Sequence, residues 1–254
     1  MTHWVTWKKG FFRFPNRRKE TFPSLFYLLG VFGIYLGIAF FLSPFFARFF
    51  NSGIVQLLLL CLIMLLITFF SVYYKPDAVK RLWKDHSLPE KRSPLYDFFF
   101  GVLAWCVSFP PVVLVGELSD FFLYLIFKVV NYEQIAVRYL KTTLGSPSMF
   151  IVAILAIFLA APVIEEFLFR GCLQSFLKRF MGKKTAIIFA SLCFALFHLA
   201  TSQGLGNISL FVSLFTFACY LGAVYERQGS LFAPIGLHMT FNVVNTLRIL
   251  HGGY

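Results

Sequence analysis

The sequence predicts an all-α fold, a polytopic transmembrane helical bundle with about seven or eight membrane helices. Composition gives the first reason. Of 254 residues, 59% are hydrophobic and only 13% charged, with a mean hydropathy of +0.76, more apolar surface than a soluble domain can hide. Length gives the second: apolar runs approach the roughly 20 residues that a helix needs to cross a bilayer. Charge placement gives the third, because the net charge of +12 is concentrated beside those runs.

The runs fall near 24–42, 54–74, 95–115, 149–169, 184–200, 208–226 and 230–250, with a further one near 121–130. The first is too long for a signal-peptide core and has no small-residue cleavage site, so it reads as a retained helix. Residues 1–22 form a basic, aromatic-rich cytoplasmic arm. Residues 23–147 carry the N-terminal transmembrane helices with two connectors, 75–94 and 131–148. Residues 148–250 concentrate the few intramembrane polar groups and read as a catalytic helical core. No internal repeat is visible.

Lys8, Lys9, Arg13, Arg17, Arg18 and Lys19 precede the first run, and Lys75, Lys80, Arg81, Lys84, Lys91 and Arg92 follow the second. These flanking positions fit the positive-inside pattern, a cytoplasmic N-terminus and attraction to anionic lipid headgroups rather than nucleic acid. Cys61, Cys106, Cys172, Cys193 and Cys219 lie in or beside apolar segments without metal-ligand spacing. They imply no disulfide framework and read as small buried packing residues.

Glu165, Glu166 and Arg170 are the conspicuous anomaly, directly behind an apolar run. One charge at bilayer depth costs on the order of 3 kcal/mol on insertion scales, so three within six positions mark a functional site. Pro162 suits a first helical turn and favours a break after 149–160, which would put both glutamates near a helix N-terminus. Successive helical residues are turned by about 100°, so the two carboxylates should have different jobs. Glu166 and Arg170 stand at i and i+4 in the favourable order for an ion pair, leaving Glu165 the freer acid.

His198 and His238 lie in later apolar runs, and Asn242 is one turn beyond His238 on the same helix face. His3, His86 and His251 are terminal or in loops. At 1.5 Å per residue, Glu165, His198 and His238 lie about 20, 21 and 16 Å from Lys178, Lys184 and Arg227, a similar depth if those basic ends share one membrane face. A carboxylate, two imidazoles and a carboxamide in a partly dry cavity suit hydrolysis, with a base for water, a proton carrier and oxyanion donors.

Glu165-Glu166-x-x-x-Arg170, Phe194-x-x-x-His198 and His238-x-x-x-Asn242, with Gly171 after the arginine, resemble the three motifs of the CPBP family, the CAAX proteases and bacteriocin-processing enzymes of the Abi group. The resemblance spans about residues 148–247 and implies an intramembrane endopeptidase acting on a membrane-associated protein or peptide. It implies water activation by Glu165 and His198, oxyanion stabilisation by His238 and Asn242, and support from Glu166 and Arg170. A CAAX-type tail, a leader peptide or another membrane-associated peptide is the implied substrate.

Glu165, His198 and His238 also make a familiar zinc set. Asn242 favours a reaction without a cofactor, because an amide is a poor zinc ligand and a good oxyanion donor. No HExxH motif is present. The alternative to an enzyme is a non-catalytic immunity or adaptor protein that binds peptide in the same cavity. A proton-coupled transporter could also use buried Glu and His, but no paired half-helix repeat accompanies them.

Overall fold

The structure, a computed structural model, describes residue 14, residues 23–46, residue 48 and residues 52–85, 92–128 and 135–251. The basic arm predicted at 1–22, apart from residue 14, lies outside the described residues, as do His3, His86 and Lys91. Nine helices occur among the described residues: α1 Leu25–Phe46, α2 Ser52–Tyr74, α3 Pro76–Trp83, α4 Pro94–Phe127, α5 Ile135–Thr143, α6 Pro147–Met181, α7 Lys183–Phe197, α8 Gly206–Gln228 and α9 Phe232–Leu250. No strand is present among them, and an isolated antiparallel bridge joins Lys84 to Ser230.

Local chemistry accounts for the element ends. The Ser24 and Ser93 hydroxyls accept the amides of Tyr27 and Tyr96 at 3.2 and 3.1 Å, capping α1 and α4. Pro94 and Pro147 occupy first-turn positions where no amide hydrogen is needed. Gly182 and Gly229, with φ of 78° and 66°, supply the positive-φ conformations that separate α6 from α7 and end α8.

Several expectations are corrected. The run near 95–115 and residues 121–127 of the run near 121–130 belong to one 34-residue helix, α4, which continues through Pro110 and Pro111. The connectors are partly helical. Pro76 starts the short amphipathic α3, which buries Ala78, Val79 and Leu82, and α5 lies within the second connector. The cysteines are not uniformly buried: Cys172 is, whereas Cys61, Cys106 and Cys193 are exposed on the outer surface.

Among the described residues, five helices, α1, α2, α4, α6 and α8, are long and apolar enough to cross a membrane. α7 has only 15 residues, and α9 is diluted by His238, Thr240, Asn242, Asn245, Thr246 and Arg248. Phe41, Phe69 and Leu103 face outward with 78%, 70% and 69% of their surface exposed, as expected where the surrounding solvent is hydrocarbon. The chain is an integral membrane protein.

Small residues let the central helices approach closely, the usual packing device where no hydrophobic force drives helices together. α8 packs against α4 and α7, and α9 crosses α4. At that crossing a Cβ on Gly101 would collide with the Ala233 carbonyl, and one on Gly236 with the Phe98 carbonyl. Backbone therefore rests on backbone, fixing α9 against α4.

Basic helix ends gather at one end of the bundle. Arg179 Nη1 donates to Pro23 O at 2.7 Å, Lys178 pairs with Glu226 at 3.0 Å and Lys84 with Asp97 at 2.8 Å. Arg92 donates to Gln228 at the same end. These contacts tie the starts of α1 and α4 to the ends of α6 and α8.

Candidate active site

α6 runs unbroken through Pro162, contrary to the break expected there. A π-helical stretch, Ala156–Ala160, precedes the proline, and α-helix resumes at Ala161. A proline inside an α-helix lacks one donor and crowds the carbonyl four residues back. The wider π turn accommodates it, as such turns commonly do near functional sites. Glu165 and Glu166 are consequently in mid-helix, and no free helix N-terminus holds them.

Their countercharges come from side chains instead. Glu166 and Arg170, 0% and 1% exposed, form the expected i,i+4 pair at 3.1 Å. Arg170 Nη2 also donates to Ala218 O at 3.3 Å, and the guanidinium sits 4.4 Å from the centre of the Phe194 ring. A second π-helical stretch, Phe167–Gln174, follows at once.

His198 is the first residue beyond α7 rather than a helix-interior residue. Its Nδ1 lies 2.8 Å from Phe194 O, so Nδ1 carries a hydrogen and donates to that carbonyl. Nε2 is left facing Glu165 Oε2 at 3.5 Å. That is long for a direct hydrogen bond and suited to two groups sharing a water molecule.

His238, on α9, connects the two glutamates. Nδ1 donates to Glu166 Oε1 at 2.8 Å, while Nε2 lies 3.9 Å from Glu165 Oε2. The carboxylates thus diverge, as helix geometry requires, yet address opposite nitrogens of one imidazole. Phe217 packs edge-on against that ring at 5.4 Å. Asn242, one turn further, donates from Nδ2 to Ile157 O at 2.9 Å. Glu165, Glu166, Arg170, His198 and His238 therefore come together from α6, the end of α7 and α9, and Asn242 joins them through the π turn of α6.

Two polar residues went unnoticed in the sequence. Gln174 Nε2 donates to Gly222 O at 3.1 Å and to Glu226 Oε1 at 3.3 Å, and Lys178 meets the same carboxylate. Glu166, Arg170, Gln174 and Lys178 recur at four-residue intervals along α6, facing Ala218, Gly222 and Glu226 at the same interval along α8. This polar seam fixes the rotation of α6 and hence the direction of Glu165. Its signal was the i+4 repetition of polar residues in an apolar helix.

Ligands about 2.0–2.1 Å from a tetrahedral zinc lie roughly 3.3–3.4 Å from one another. Glu165 Oε2 lies 3.5 Å from His198 Nε2, close to that spacing, and 3.9 Å from His238 Nε2, wider than it. Among the described residues, no group of three or more His, Cys, Asp or Glu side chains is clustered as a metal site.

Fold and site define a membrane-embedded helical bundle with carboxylates and imidazoles gathered in its interior. The family model described as type II CAAX prenyl endopeptidase Rce1-like matches residues 147–244, a stretch containing all six of these side chains. Over that stretch, less than half of its length, the chain is similar to the Rce1-like CAAX prenyl endopeptidases, a family of proteases within the CPBP/Abi group. No curated protein and no solved structure matches the chain.

Proposed function

We propose that the protein is an intramembrane glutamate endopeptidase that cleaves a membrane-associated peptide, with a CAAX-type prenylated tail as the substrate class suggested by that similarity. The observation that carries this reading is the approach of Glu165 Oε2 to His198 Nε2 at 3.5 Å, with His238 Nε2 on the other side. Glu165 accepts a proton from the attacking water, and His198, oriented by Phe194 O, holds that water and relays the proton to the leaving amine. Since Nδ1 of His238 already donates to Glu166, donation to the oxyanion comes from a hydrogen on Nε2. Asn242 has two amide hydrogens, of which Ile157 takes one. The second is available to the oxyanion. Glu166 and Arg170 orient His238 and act through it.

The proposed reaction uses no cofactor. Full turnover of purified protein after exhaustive chelation, with metal analysis finding no stoichiometric metal, checks this, and loss restored by stoichiometric zinc would establish the zinc alternative. The basic end of the bundle is assigned to the cytoplasm, where it meets anionic lipid headgroups. Comparison of membrane peptidomes from cells expressing wild-type protein and Glu165→Gln tests activity and identifies substrate together. Identical peptidomes together with full cellular function of the variant would instead favour the non-catalytic, peptide-binding reading.

A further inference from the structure

A carbonyl beside the site owes its availability to the sequence of α6. In the π turn of Ala156–Ala160 the amides reach back five residues, and the Ala161 amide bonds Ala156 O. By that register Ile157 O is due the amide of residue 162, and residue 162 is a proline, which has none. The α-helical alternative is closed as well, because the Ala161 amide is already directed to Ala156. A carbonyl so stranded needs a donor from elsewhere. Asn242 Nδ2 supplies it from α9 at 2.9 Å.

We propose that Pro162 is a positioning residue for Asn242: by withholding a backbone amide from Ile157 it reserves that carbonyl for the carboxamide and fixes where the second Nδ2 hydrogen points. The inference rests on the reading of Asn242 as an oxyanion donor. Preorganised donors are effective because their orientation is set before charge develops. A freely rotating Asn242 would have to be ordered during the reaction. Pro162 thus links the irregularity of α6 to catalysis without touching the reacting atoms.

Pro162→Ala is the discriminating change, since it restores an amide at a position where alanine favours helix. Either that amide bonds Ile157 O directly, or the turn relaxes to α-helical register and the Ala161 amide does so. In both cases a backbone donor competes with Asn242. The full-length protein, labelled with ¹⁵N-asparagine in lipid nanodiscs, reports the contact directly. Exchange of the Asn242 side-chain amide hydrogens is expected to quicken roughly five- to tenfold in Pro162→Ala, the change equivalent to one neutral hydrogen bond.

Turnover of a farnesylated fluorogenic peptide ending in a CAAX sequence reports the consequence. Pro162→Ala should lower kcat with KM unchanged, and Pro162→Ala/Asn242→Ala should be no slower than Asn242→Ala alone. Unchanged Asn242 exchange in Pro162→Ala overturns the proposal, as does a double variant slowed by the product of the two single effects. Wild-type turnover in Asn242→Ala has a separate meaning: it removes the oxyanion reading itself, while the exchange measurement still decides whether Pro162 governs the contact.

Discussion

At the residue scale, the site depends on which atoms are left free after neighbours have taken the others. Phe194 O fixes one nitrogen of His198 and Glu166 fixes one nitrogen of His238, so both Nε2 atoms turn toward Glu165. Glu165→Gln and His198→Ala should each nearly abolish cleavage while leaving the folded protein at wild-type abundance in the membrane. Asn242→Ala should reduce kcat by roughly 10²–10³, the usual loss for one oxyanion donor, measured on detergent-solubilised protein. Glu166→Gln should behave differently because it strands the 1%-exposed Arg170 guanidinium. Removing one partner of a buried ion pair costs about 3–5 kcal/mol, and a fall in thermal unfolding temperature measures it. A Glu166→Gln variant as stable as wild type would contradict the assignment of that pair as a buried structural clamp.

At the scale of elements, the legible features were those with a local period. The i,i+4 spacing of Glu166 and Arg170 and of His238 and Asn242 specified ion pairing in one case and a shared face in the other, and the apolar runs marked helices well. Less visible was anything settled by a neighbour. Pro162 read as a helix start because local propensity disfavours interior proline, whereas the π turn and the Asn242 contact with Ile157 supply the room and the donor that keep α6 continuous. α4 likewise overran its predicted end near residue 115, for Gly116, Glu117, Ser119 and Asp120 did not stop it. The Gly101 and Gly236 crossing had no periodic signature, since two distant glycines must meet before their small size has meaning. Gly236→Leu should force α9 away from Phe98 and destabilise the bundle. It should also cost activity, as α9 carries His238 and Asn242; a melting curve and a turnover assay on the same preparation check both effects.

At the scale of the whole molecule, the segment matched to the family is not a self-sufficient unit. The match begins at residue 147, but α8 and α9 pack on α4, from the N-terminal part. α4 supplies the Gly101 backbone contact to α9, and its Phe109 ring lies 6.3 Å from Phe241, which stacks at 4.0 Å on Phe217 beside His238. In lipid, apolar surface gains little from being covered, so helix association depends on close packing and polar contacts such as these. A chain of residues 147–254 can satisfy its backbone within its helices and insert, yet it has no surface of matching shape to hold α9 at the depth of Glu165. It should therefore accumulate in membranes and fail to cleave, whereas co-expression with residues 1–134 should restore turnover by reassembling the α4–α9 crossing. Gly101→Leu in the 1–134 partner should abolish that rescue while leaving the partner's own insertion intact. Wild-type turnover by residues 147–254 alone would show that α4 is dispensable to the site, and rescue by the Gly101→Leu partner would show that some other contact carries the assembly.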